Sequence, residues 1–132
     1  MKVSLDMLMN SSVNFNNAEE VVDYGEFSFT QAELPVMKFI ILKKREVYQA
    51  ICIDVEIDAV GNSLQGARKN LENTLNSYVI QMIYNYDGNE KAAIEDIANT
   101  AFSKGSLKSR LFSRYNQANQ QRIMNKSLKK AT

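Results

Sequence analysis

The chain has 132 residues, 45% of them hydrophobic, which is enough for one buried core or for a small domain with an appended unit. Its apolar runs fall far short of the roughly 18 residues a membrane span needs, and Asp6 interrupts the apolar stretch at the N-terminus, so neither a span nor a signal peptide is expected and the cytosol is the predicted compartment. The absence of histidine excludes His-based acid–base chemistry, Ser-His and Cys-His nucleophile pairs and the ordinary zinc sites, while a net charge of +1 gives no overall bias toward a polyanion.

In chain order, Val3, Leu5, Met7 and Met9 alternate with polar residues as in a short edge strand, and an Asn- and Ser-rich connector runs from Asn10 to Asn17. Asn17 is placed to cap a helical turn over Ala18 to Val22, and Phe27 and Phe29 alternate in a second short strand. Val36 to Leu42 reads as a strand. The charged reversal Lys43, Lys44, Arg45 and Glu46 lets the next strand return antiparallel to it.

That next strand begins at Val47. Val47, Gln49, Ile51, Ile53, Val55 and Ile57 share one face, while Tyr48, Ala50, Cys52, Asp54, Glu56 and Asp58 share the other, which starts apolar and ends acidic. Such grading predicts burial on both faces at the start and departure from the core near Asp54, with a break or bend there. The lone Cys52 sits mid-strand, as a buried structural thiol does. Gly61 and Asn62 supply a turn and Ser63 a helix N-cap, behind which Leu64, Ala67, Leu71, Leu75, Tyr78, Val79 and Met82 form one apolar stripe.

The ungapped series Tyr48, Cys52, Asp54, Glu56, Gly61, Asn62, Ser63, Ala67, Asn70, Leu71, Leu75 and Tyr78 resembles the HicB-like antitoxins of bacterial toxin–antitoxin pairs. Gln65 and Gly66 depart from the Glu-Glu usual in that family, and the proline that often precedes its acidic segment is missing. The resemblance, over residues 36–83, implies an α+β fold in which a small antiparallel sheet packs on one long helix as a partial RNase H-like unit. It also implies a non-enzymatic binding protein that holds a small, basic, RNA-cleaving toxin inactive and acts as a homo-oligomer, with no cofactor.

Tyr86, Asp87, Gly88 and Asn89 break the helix, and Asn89 caps the next one. This predicts a boundary between a domain over 1–86 and a basic helical unit over 87–132. Ala93, Ile94, Ile97, Ala98, Ala101 and Phe102 form a short apolar stripe, Lys104, Gly105 and Ser106 interrupt it, and Leu107, Leu111, Phe112, Tyr115 and Ala118 resume the helical period. Charge divides here: residues 1–103 carry 8 basic and all 15 acidic residues, whereas residues 104–132 carry the other 8 basic residues and no acid. Such asymmetry marks an interaction segment for nucleic acid or an acidic partner, the alternative being a basic helix folded onto its own acidic body.

Ile94 to Tyr115 resembles the helix-turn-helix of tetracycline-repressor-type regulators, with a turn one residue shorter and Phe102 rather than glycine at its corner. The resemblance implies that Ile97, Ala98 and Ala101 pack two helices together, that Leu107 anchors the second, and that Lys104, Ser106, Lys108, Arg110 and Arg114 meet operator DNA. Asp54, Glu56 and Asp58, read as three carboxylates on one strand face, fit a basic partner; the sharper alternative is a divalent-metal nuclease. A third alternative is a solitary HicB-like inhibitor or assembly module, of phage origin, that binds another protein. No catalytic residue and no metal site is assigned.

Overall fold

The computed structural model of the chain describes residues 20–29 and 34–131. The strand expected over Val3 to Met9, its connector and the Asn17 cap lie outside these residues. Four strands, β1 (Val21–Phe27), β2 (Met37–Lys44), β3 (Val47–Cys52) and β4 (Ile57–Gly61), form one antiparallel sheet in the order β1-β2-β3-β4. Three helices follow: α1 (Leu64–Asn85), α2 (Glu90–Phe102) and α3 (Ser106–Ala131). The α+β class, with a small antiparallel sheet, one long helix against it and a helical C-terminal region, is the expected one.

Val21 and Val22 belong to β1 and not to a helical turn, because β-branched side chains suit the extended backbone and β2 needs a partner along this edge. A register shift between Val21 and Asp23 sends Val22 to one face of the sheet and Val21 and Tyr24 to the other. Phe27 closes the strand, stacked on Phe39 at 4.6 Å between ring centroids, and Phe29 lies beyond it. Gly25 makes room for the Phe39 ring, since a Cβ at Gly25 would stand 2.9 Å from it.

The Arg45–Glu46 turn, with Arg45 at φ +51°, brings β3 back along β2 with Lys44 opposite Val47. β3 ends at Cys52, and Ile53 to Glu56 form a tight reversal. The strand expected from Val47 to Asp58 is thus two strands folded on each other, with Asp58 opposite Ile51. Two bonds from the start of β2 hold the reversal: the Ile53 N–H donates to the Lys38 carbonyl at 2.8 Å, and the Lys38 N–H donates to Asp54 Oδ2 at 2.5 Å. Glu56, at φ +52°, completes the change of direction.

The helix behind β4 forms as its sequence predicts. Ser63 is extended and its Oγ accepts from the Gly66 N–H at 2.9 Å, satisfying one of the free amides of the first turn. Ala67, Leu71, Leu75, Tyr78, Val79 and Met82 are buried, and the Asn70 side-chain amide donates to the Val60 carbonyl at 2.8 Å. The Gly88 N–H closes the helix on the Ile83 carbonyl at 2.9 Å, with Gly88 at φ +83°. Asn89 then caps α2 by accepting from the Ala92 N–H at 3.2 Å.

The core has two parts, one on each face of the sheet. On the first face Met37, Phe39, Ile41, Ala50, Cys52 and Ile57 meet α1 together with Ala93, Ile94 and Ile97 of α2. On the second face Ile40, Leu42, Ile51 and Ile53 meet Leu111 and Tyr115 of α3. The corner at Tyr86 to Asn89, where a domain boundary was expected, is therefore bridged by a continuous core. Phe102, expected in the α2 stripe, is 77% exposed at the last position of α2.

Gly61 is where β4 passes closest to α1. A Cβ there would lie 2.4 Å from the Ala67 backbone nitrogen and 2.7 Å from the Gly66 carbonyl carbon, atoms that no rotamer change can move aside. Gly61→Ala is expected to lower stability by about 1–3 kcal/mol in urea unfolding. Gly66→Ala, whose Cβ would approach a single side-chain atom, the Ser63 Oγ at 2.9 Å, serves as the comparison and should cost less.

Candidate functional site

The corner between α2 and α3 gathers most of the residues singled out in the sequence. Ser103 caps α2, Lys104 and Gly105 turn the chain, and α3 starts at Ser106. The Lys108 Nζ reaches back to the end of α2, donating to the Thr100 carbonyl at 2.7 Å, the Ala101 carbonyl at 3.3 Å and Ser103 Oγ at 3.3 Å. Its charge thereby complements the negative end of the α2 dipole, where the last carbonyls lack helical partners.

Lys108 is only 5% exposed, so it does not stand on a DNA-facing surface as expected. Burial lowers its pKa, and Glu56 and Asp54 act in the opposite sense. Lys104, Ser106 and Arg110 are exposed and Arg114 is half-buried. Ser106, Arg110 and Arg114, four residues apart, follow one side of α3.

The expected helix-turn-helix packing is not adopted. α2 lies with α1 on the first face of the sheet and α3 lies on the second, so the two helices meet at their shared corner without lying along each other. The cause is the apolar content of both sheet faces: Ile97 is used against α1 and β-sheet residues, and Leu107 packs with Ile40, Ile51, Leu111 and Tyr115.

The three carboxylates expected on one strand face are dispersed by the reversal at Ile53 to Glu56. Asp54 is buried inside it, Glu56 lies at its left-handed corner near Gly105, and Asp58 is in β4, accepting from Gln49 Nε2 at 2.8 Å. Burial raises the Asp54 pKa, opposed by the Lys38 N–H bond and by the charges of Lys108 and Lys38. Among the described residues no three His, Cys, Asp or Glu side chains are grouped to hold a metal ion. Cys52 is fully buried, its thiol 3.9 Å from the Met37 sulfur, and burial pushes its pKa up to about 12, which leaves it protonated and unreactive.

A cleft of about 430 Å³ opens at this corner, and its lining includes Asp54, Lys108, Val36, Lys38, Phe102 and Lys104. Lys38 and Phe112 are members that sequence inspection did not assign to a site. The Lys38 Nζ lies 5.7 Å from the Phe112 ring centroid and 5.3 Å from that of Tyr115, so it bridges β2 and α3 by cation–π contact. The signal available beforehand was one lysine in an otherwise apolar strand, and its partner is distant in sequence. Among the described residues no helix is long and apolar enough to cross a membrane.

No protein-family model, no curated protein sequence and no solved structure matches the chain.

Two outcomes follow from the buried charges. Lys108→Met keeps the volume but leaves the end of α2 without its cationic donor, and should cost about 1–3 kcal/mol in urea unfolding. Asp54 has a folded pKa above its ordinary value of 3.8, so its contribution to stability is fully present below that value and lost as pH rises through the folded one. In unfolding curves taken between acid and neutral pH, the wild type should therefore gain stability relative to Asp54→Asn as pH falls through the range just above 3.8.

Proposed function

We propose that the chain is an antitoxin-like binding protein, which neutralises a small RNA-cleaving toxin through its α+β body and binds operator DNA through its basic C-terminal segment. The observation that carries this function is the ungapped correspondence from Tyr48 to Tyr78, which falls on β3, the reversal, β4 and α1 as far as Tyr78 in one uninterrupted unit.

The surface that would meet a basic toxin is not the triad Asp54, Glu56 and Asp58. Asp54 is enclosed by Lys38 and Lys108, and Asp58 is engaged by Gln49. Exposed carboxylates on the opposite side of the sheet from α3 are Glu72 on α1, Asp87 at the corner, and Glu90 and Glu95 on α2. Arg68, Lys69 and Lys91 are exposed on the same two helices and Lys69 pairs with Glu72 at 3.8 Å, so Asp87, Glu90 and Glu95 are the carboxylates that would meet a basic partner there.

A small basic reading frame adjacent to this gene, carrying a histidine, would encode the partner. The two purified proteins are expected to co-elute in size-exclusion chromatography, and equimolar addition of this chain should stop RNA cleavage by the partner. Charge reversal at Glu90 and Glu95 should weaken the complex most at low ionic strength. Failure of the wild-type proteins to associate, with cleavage unchanged, would rule out toxin neutralisation.

A further inference from the structure

Fourteen consecutive residues, Asn73 to Tyr86, carry no charge along α1 and its cap. Leu75, Tyr78, Val79 and Met82 of this stretch are core. Pointing away from the sheet is a second stripe at helical spacing, Lys69, Asn73, Asn76, Ile80 and Tyr84, every one of them exposed. Ile80 is 68% exposed and Tyr84 54%. The solvent face of a helix ordinarily carries charge, whereas loss of charge together with exposed tyrosine and aliphatic side chains marks the centre of a protein interface.

The charges at the two ends of this stripe oppose the dipole of their own helix. α1 has no acid in its first turn and no base in its last; Arg68 and Lys69 follow the first turn, and Asp87 follows the end. A neighbouring helix that runs antiparallel reverses the relation, bringing its positive end to Asp87 and its negative end to Arg68 and Lys69. Arg68 lies over the Phe27 and Phe39 rings, and Lys69 pairs with Glu72 at 3.8 Å in an exposed contact. Among the described residues the side chains of Asn73, Asn76 and Asp87 have no hydrogen-bond or ion-pair partner.

We infer that α1 pairs antiparallel with α1 of a second copy of this chain, about a two-fold axis beside Ile80. Ile80 then meets Ile80 of the second copy, Tyr84 lies along its Asn76, and Asp87 accepts from its Asn73 amide, the last two pairs occurring twice. The stripe is its own complement under this operation, in side chains and in end charges. A basic protein or a polyanion would gain nothing from the roughly 16 Å of uncharged helix between Asn73 and Tyr84, which is what commits the face to a second copy. The pairing uses Asp87 and leaves Glu90 and Glu95 of α2 to the partner proposed above, and it does not depend on that function. A single helix pair buries less than a standard interface, so monomer and dimer exchange with a dissociation constant of about 1 µM to 1 mM.

Sedimentation equilibrium of the full chain across that range is expected to show monomer and dimer. Ile80→Asp should raise the dissociation constant at least about tenfold, with the melting temperature of dilute protein unchanged because the side chain is exposed. Asp87→Asn should raise it about 2- to 5-fold at low salt and not at high salt. Ile123→Asp, on the exposed pair Ile123 and Met124 of α3, should leave it unchanged.

Cross-linking locates the axis. Cys52 is the one native cysteine and is fully buried, so an introduced surface thiol is the one that oxidises. Helices packed about 8–10 Å apart bring facing Cα atoms at the axis to about 3.5–5.5 Å, within reach of a disulfide. Ile80→Cys should give a disulfide-linked dimer under mild oxidation, and Gln65→Cys, exposed at the far end of α1, should not. A chain that stays monomeric at every concentration, a dimer that Ile80→Asp leaves unchanged, or equal cross-linking of the two cysteine variants overturns the pairing.

Discussion

A strand with apolar side chains on both faces is stable only between two layers, and β2 is such a strand. Met37, Phe39 and Ile41 face α1 and α2, while Ile40 and Leu42 face α3, and all five are fully buried. At about 1.5–3 kcal/mol for each buried side chain, exposing either face would cancel much of the stability a chain of this size has. The second face is therefore the reason α3 cannot swing out as an independent unit. It also explains why α2 and α3, adjacent in sequence, separate to opposite sides of the sheet instead of forming a hairpin with a core of its own.

The features legible in the sequence were those carried by local chemistry. The α1 stripe, its Ser63 cap, the Asn89 cap and the charged hairpin at Lys43 to Glu46 depend on periodicity and on side chains that bond to the nearest backbone. The reversal at Ile53 to Glu56 was only half legible. Its residues include no glycine, proline or asparagine, and what holds it is the Lys38 backbone, distant in the chain. The change from apolar to acidic at Asp54 marked where the strand leaves its register, and nothing local showed that it folds back. The α2–α3 corner was misread for a related reason: spacing alone allowed Lys108 to stand on a surface, and only the helix end at Thr100 and Ala101 decides that it points inward.

The charges divide into two functional kinds, set by burial. Lys108 and Asp54 act on each other's titration, Glu56 acts on Lys108, and Lys108 and Asp54 tie the end of α2, the start of β2 and the β3–β4 reversal to one corner. Buried charges of this sort cost desolvation and return it through fixed hydrogen bonds, so their value is in defining one arrangement. The exposed charges among the described residues contribute little to stability and much to the choice of partner.

These two kinds meet on α3. Its inward face uses a lysine and two aromatic rings to hold the helix at one angle on the sheet, with Tyr24 set edge-on to Tyr115 at 5.3 Å and Lys38 beside the same ring. The outward face then inherits a fixed direction, since a helix anchored by Leu107, Leu111 and Tyr115 has little freedom to roll about its axis. A polar face on a loose helix would bind a polyanion without register. The same face on an anchored helix presents its side chains at set spacings along a line, so whatever meets it meets a surface of fixed register.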